Sequence, residues 1–240
     1  GFNVRFEPGV GPLLDAIERP NDITGKCLNN FIKNLDPISR AIKLTRLTLP
    51  QNVALIGFAG APWTLITYIA EGKSSRDFTK ARLWAWQNAK ELDALLEILI
   101  EATISFLSLQ AAAGADCLML FDSWASAVPA AHRDWLVIQP THAIVRGVRK
   151  NGYNQPIIGF PKGFGEGITY YAEKSGVDAI GLDHGIDPRW ANENLPKGFP
   201  VQGNLDPLSL ISAGKQMLRN IDYILESFHD RPHIFNLGHG

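Results

Sequence analysis

His239 stands between two glycines in the run NLGHG. An imidazole changes charge near neutral pH, so a histidine at a strand end can bind a carboxylate as a cation or carry a proton. The plainer reading is a histidine in a solvated turn. Tyr68 lies in TLITY, on a helical stretch that follows GFAGAPW. It reads either as a buried aromatic of an amphipathic helix or as a phenol aimed into a cleft, donating to carboxylates without adding charge. Asp122 and Ser123 close the apolar run CLMLFDS, and Trp124 follows. Such residues cap helices in βα loops, but a strand-end serine can instead hydrogen-bond a substrate carboxylate. No G-x-S-x-G elbow surrounds Ser123, which argues against a serine nucleophile.

Lys162, in FPKGFGEG, has glycines close by that allow near backbone approach and an anion cradle. The spacing is not that of a P-loop. Asp183 and His184 are adjacent, so on a strand they point to opposite faces and do not act together directly. His132, His142, His229 and His233 fit helix surfaces, helix ends or a strand start and make no metal-ligand spacing. Cys117 sits in an apolar run and reads as a small hydrophobe, with Cys27 far off in sequence. The residues therefore point away from a metal. No G-x-G-x-x-G follows a strand, which points away from a dinucleotide.

The elements that must position these groups alternate. Short apolar runs read as strands at 53–60, 117–123, 156–163, 179–185, 200–207 and 233–240. Helices are expected over 37–47, 62–70, 77–85, 88–113, 129–150, 166–175, after Pro188, and from Pro207 to about Phe228. Pro62 and Pro207 suit first helical turns, and Gly114 and Gly176 suit helix ends. Residues 1–36, with turn signals at Pro8, Gly9, Gly11, Pro12 and Pro20, read as a surface excursion or hairpin. Buried strands joined by helices mean a parallel sheet covered on both faces. Polar or small residues close every strand: Gly60, Asp122–Ser123, Lys162–Gly163, Asp183–His184, Asn204–Asp206 and His239. A doubly wound sheet gathers ligand groups at one switch point, whereas a barrel spreads them over all its βα loops. The expectation is an α/β chain with a (β/α)8 TIM-type barrel, incomplete as given, in a single domain over 1–240.

The bulk properties fit. The chain has 240 residues, 45% of them apolar and 20% charged, which suits a large core. A formal net charge of -1 gives no global field for nucleic acid. No run of about 18 apolar residues indicates a membrane span, and the first residues do not pattern as a signal peptide. Two unclustered cysteines favour a reducing compartment. The chain does not begin with Met and stops just after a strand-like run, so both ends are expected to be cut, with an N-terminal part and a last helix missing.

GFAGAPWTLITYIAEG, FDSW, GLDHG, VQGNLDP and NLGHG, taken together and in this order, closely resemble the uroporphyrinogen decarboxylase family, from about Gly1 to Gly240. The resemblance implies a (β/α)8 barrel that works as a homodimer in the cytoplasm, with no cofactor or metal. It implies removal of carbon dioxide from the four acetate arms of uroporphyrinogen to give coproporphyrinogen in tetrapyrrole synthesis. It carries substrate-binding roles onto Tyr68, Ser123 and His239. The family's R-Q-A-G-R-type segment has no counterpart here, nor does the aspartate that binds the pyrrole N–H groups, expected shortly upstream of Gly1. No catalytic residue is therefore assigned within the chain. GLDHG departs from the Trp common after the aspartate, and His184 takes no role. Two alternatives remain: a corrinoid-type barrel methyltransferase, which would need zinc ligands, and an incompetent fragment that only binds porphyrin or dimerises.

Overall fold

The strands of the main sheet are short, largely apolar runs. Helices lie between the strands because parallel neighbours need a crossover. The computed structural model describes residues 4–7, 11–23, 31, 33–73 and 75–239. Cys27, Pro8 and Gly9 lie outside the described residues. Strands β1 (Val4–Glu7) and β2 (Gly11–Leu14) pair antiparallel with Val4 opposite Leu14, in keeping with the second of the two readings of 1–36. The hairpin is tied down beyond its end, where Leu14 N donates to Gly72 O at 2.6 Å.

The main sheet holds β3 (Ile56–Gly60), β4 (Cys117–Asp122), β5 (Ile157–Pro161), β6 (Ala179–Gly181), β7 (Val201–Gln202) and β8 (His233–Ile234). All pairs are parallel, and each strand lies beside the next in sequence. This is the strand order of a βα-barrel. Among the described residues the sheet has six strands and does not close, so the eightfold barrel is present as an arc. β7 and β8 are shorter than the runs 200–207 and 233–240. Pairing resumes after Gly203, where Leu205 N donates to Asn236 O at 3.0 Å and Gly238 N to Leu205 O at 2.8 Å.

The helices are α1 (Asp36–Thr48), α2 (Pro62–Glu71), α3 (Thr79–Gln87), α4 (Ala89–Ala112), α5 (Gln139–Lys150), α6 (Gly167–Lys174), α7 (Pro188–Asn194), α8 (Pro207–Ser212) and α9 (Gly214–Ser227). Asp187 and Asp206 cap α7 and α8, each just before a proline at the first helical position. Gly114 and Gly176 take positive φ, +108° and +78°, at the ends of α4 and α6, as expected.

Two helical expectations need correction. The stretch 129–150 is not one helix: a 3₁₀ turn (Ala130–His132) and a wide π turn (Asp134–Ile138) precede α5. Pro140 has no N–H to give to the preceding turn, and the ladder widens there; Thr141 Oγ1 satisfies Val137 O at 2.8 Å instead. The stretch 207–228 is likewise two helices, broken where Ala213 (φ +55°) and Gly214 (φ +77°) reverse the backbone.

Alternation along the strands divides the core. Leu118 and Leu120 face the helices and pack in the large cluster with Ile66, Leu95 and Ile144. Met119, Ile158, Phe160 and Ala179 face the other way and form a second cluster inside the arc, with Cys117 and Phe121 packed against it. At the N-terminal ends of the strands, charges are consumed in structural pairs. Asp116 binds Arg46 at 2.6 Å and Leu55 N at 2.7 Å; Asp178 binds Arg149 at 2.5 Å and Ile157 N at 2.8 Å. That leaves the C-terminal ends for chemistry, as is usual in this architecture.

Candidate active site

The inward residues of the arc build a cleft of roughly 600 Å³, within the range of small-molecule sites. Its wall is a row of rings on adjacent strands. Phe58 meets Phe121 edge to face at 5.8 Å, Phe121 meets Phe160 at 5.7 Å, and Phe160 lies nearly parallel to the His239 imidazole at 6.3 Å and 23°. Phe58 is 60 % exposed, an unusual state for a phenylalanine inside a sheet's curve. Phe160 can lie flat because its neighbour is Gly181: a Cβ there would stand 2.7 Å from the Phe160 ring.

The His239 loop is held by its glycine. A side chain at Gly238 would run into the backbone nitrogen and Cα of His184, so this residue must be glycine for the loop to pass so near β6. His184 itself is exposed, and its backbone serves as the surface against which the loop packs. Asp183 is fully engaged: its carboxylate accepts from Gly163 N at 2.7 Å and Gly185 N at 2.8 Å. It ties β6 to the Lys162 loop, which makes it a structural anchor rather than an acid or base. The Lys162 side chain is half-buried at the end of β5, and Gly163 and Gly165 take positive φ beside it.

Tyr68, on α2, and Ser123, just after β4, both neighbour Trp124, the first by ring contact and the second in the chain. Ala61 N donates to Phe121 O at 2.8 Å, docking the start of α2 on the end of β4. Trp63 Nε1 donates to Trp124 O at 3.0 Å. Thr64 Oγ1 donates to Asp122 Oδ1 at 2.6 Å and accepts from Trp124 N at 3.3 Å. Trp124 then meets the Tyr68 ring edge-on at 6.4 Å and packs on Phe78 at 4.8 Å. Tyr68 and Ser123 are both half-buried. Tyr68 thus meets the ring of Trp124, which follows Ser123 in the chain, while of the three expected site residues only His239 lines the cleft.

Asp122 differs from Ser123 in direction. It continues the Leu118–Leu120 parity toward the helices, is 2 % exposed, and its second oxygen has no hydrogen-bond partner among the described residues. Burial without a cation pushes its carboxyl up to about 7, against which the Thr64 hydroxyl works. Cys117, expected as a buried small hydrophobe, is half-buried at the start of β4. Burial raises its thiol, and Sγ lies 3.2 Å from Pro156 O, so it is a neutral thiol and a poor metal ligand. Among the described residues no three His, Cys, Asp or Glu side chains cluster for a metal.

A larger groove, about 770 Å³, lies between α5 and α6 outside the sheet and carries Arg146, Lys150 and Lys174. Lys150 and Lys174 stand in last helical turns, where cations oppose the helix dipole. The strand-end cleft is the better site because it joins an aromatic wall to convergent polar groups.

Sequence reasoning did not single out Phe58, Phe121 or Phe160. The signal was available in part, since Phe58, Phe121 and Phe160 each stand in a strand-like apolar run.

The family model described as "Uroporphyrinogen decarboxylase (URO-D)" matches residues 1–240. The chain is 42% identical over 240 residues to "Uroporphyrinogen decarboxylase" of Hyphomonas neptunium, covering 100% of this chain and 70% of that protein. It is 38% identical to the protein of the same name from Rhodospirillum rubrum, covering 100% and 69%. Among solved structures, a "methyltransferase from Methanosarcina mazei" superposes with a TM-score of 0.80 at 16% identity, covering 99% of this chain and 70% of that one. That likeness shows a common fold and nothing more. With a family model across its whole length and such relatives, the chain belongs to the uroporphyrinogen decarboxylase family.

Proposed function

We propose that this chain is a uroporphyrinogen decarboxylase and that the strand-end cleft holds the tetrapyrrole. The observation that carries this reading is the ring row Phe58–Phe121–Phe160 ending on His239. An apolar floor with polar groups at its rim suits a macrocycle that carries carboxylate arms. Each arm loses carbon dioxide and gains one proton: R–CH2–COO⁻ plus H⁺ gives R–CH3 plus CO2. The electron pair left on the arm needs a sink. A pyrrole protonated at the carbon bearing the arm becomes an iminium and accepts it, so the substrate is its own cofactor. What remains for the protein is positioning and electrostatic support.

In this reading His239 binds a carboxylate arm or moves a proton, held level with the macrocycle by Phe160. Tyr68 and Ser123 donate to arms on the opposite rim, where Trp124 fixes their spacing. The groups that bind carboxylates bidentately and collect the pyrrole N–H donors have no counterpart in these 240 residues. The resemblance also supports a homodimer acting in the cytoplasm, with no nucleic-acid partner. Among the described residues no helix is long and apolar enough to cross a membrane.

The test is anaerobic coproporphyrinogen formation from uroporphyrinogen by this chain joined to the family's arginine-rich segment and aspartate. Tyr68→Phe and His239→Asn should each lower the rate. Undiminished rates in both would refute the site.

A further inference from the structure

The groove between α5 and α6, outside the sheet, gathers cations that no carboxylate meets. Arg146 and Lys150 stand one turn apart on α5, and His142 stands one turn before them. At 1.5 Å per residue the three form a stripe about 12 Å long, in steps of about 6 Å. Lys174 lines the groove from α6. The end of α6 lies against the start of this stripe: a Cβ on Gly176 would stand 3.4 Å from His142 Nδ1.

Arg146, Lys150 and Lys174 make no ion pair among the described residues. Their neighbour Arg149 differs, for it binds Asp178 and the carbonyls of Tyr153 and Gln155. Like charges one turn apart on a helix repel. The helix dipole offsets this at Lys150 and Lys174, which stand in last turns, but Arg146 lies a turn further in. Asp134, the carboxylate that lines the groove, already accepts from Gln139 Nε2 at 2.7 Å. Two helices thus hold three cations at one surface, and a bound anion would relieve their repulsion.

The shape selects among anions. Small-molecule sites enclose most of their ligand, whereas His142, Arg146, Lys150, Tyr170 and Lys174 are all exposed. A nucleic acid would gain only a few phosphate contacts, which salt readily cancels, on a chain whose formal net charge is -1. An extended peptide advances about 6.7 Å every two residues and turns alternate side chains to one face. That step is close to the spacing of the basic stripe. The Tyr170 ring, 46 % exposed with Lys174 Nζ 6.0 Å from its centroid, adds apolar surface on the α6 side.

We propose that the α5–α6 groove docks an extended acidic segment of a partner protein, whose carboxylates at alternate positions meet Arg146, Lys150 and Lys174. The groove is separate from the strand-end cleft, and the proposal does not depend on the decarboxylase reading.

Fluorescence anisotropy tests it on the 240-residue chain, with a labelled peptide of alternating threonine and glutamate and a labelled oligothymidylate of similar length. The peptide should bind saturably. Arg146→Glu with Lys150→Glu should weaken it by about tenfold, as attraction turns to repulsion at two contacts. Lys43→Glu with Lys215→Glu makes the same change of net charge on exposed residues of other helices, and should weaken it by less than about twofold. If the reversed groove pair does not fold, Arg146→Gln with Lys150→Gln decides, with about threefold weakening expected. Absence of saturable peptide binding, or equal loss in the groove and control pairs, overturns the proposal. Tighter binding of the oligothymidylate assigns the groove to nucleic acid and overturns it as well. So does self-association of the chain that needs Arg146 and Lys150 and that the peptide fails to displace.

Discussion

Replacing Asp122 by asparagine should make the protein more stable at neutral pH, and by an amount that depends on pH. The carboxyl is 2 % exposed, has the Thr64 hydroxyl on one oxygen at 2.6 Å and nothing on the other. It is pushed up to about 7 in the fold, against about 3.9 in an unfolded chain. The native state therefore keeps a proton that the unfolded state has released, and stability is lost as pH climbs from about 4 to about 7. Across that whole window the loss is about 4 kcal/mol, of which about 2.5 kcal/mol falls between roughly pH 5 and pH 8. Asparagine has the shape of the protonated acid with one buried N–H donor more, a cost that does not vary with pH, so the variant removes the pH dependence. Every other titrating group is common to both proteins and cancels in the difference. Urea unfolding followed by the fluorescence of the six tryptophans would measure it. The stability gap between Asp122→Asn and the unaltered chain should widen in favour of the variant by about 2.5 kcal/mol from roughly pH 5 to pH 8. A gap that stays constant, or narrows, would refute the argument that Asp122 is buried without compensation.

Other outcomes follow from the same geometry. Gly238→Ala puts a methyl into the His184 backbone, so the His239 loop must move; coproporphyrinogen affinity should fall while urea stability drops by only about 1–3 kcal/mol. Phe160→Ala removes the ring beneath His239 and should cost about 3–5 kcal/mol of unfolding free energy in the same assay, with weaker coproporphyrinogen binding. Thr64→Val deletes the hydroxyl that joins Asp122 to Trp124 N and should weaken coproporphyrinogen binding in an anaerobic titration, with Thr64→Ser restoring it. Metal analysis of the purified chain should find zinc far below one ion per molecule; a full equivalent would revive the methyltransferase alternative.

Much of this architecture was legible in the residues. Strand–helix alternation, the Asp-Pro starts of α7 and α8 and the glycine stops after α4 and α6 are local signals, and each appears where expected. The helical errors came from non-local or subtle causes. Pro140 widens the turn before α5 without ending the helix, and a break at Ala213 depends on a residue that ordinarily favours helices. In the site, Tyr68, Ser123 and His239 were found as types at strand or helix ends. The contact of Tyr68 with Trp124 was not, because Trp124 is set by Thr64 on another element. The ring row needed register across β3 to β5, information that no single strand contains.

The most direct test of the account is anaerobic titration of coproporphyrinogen III into the 240-residue chain and into His239→Asn. The account predicts saturable binding of one molecule per chain that weakens on the order of tenfold in the variant, the loss expected for one polar contact. Absence of saturable binding, or equal affinity in both proteins, would contradict it.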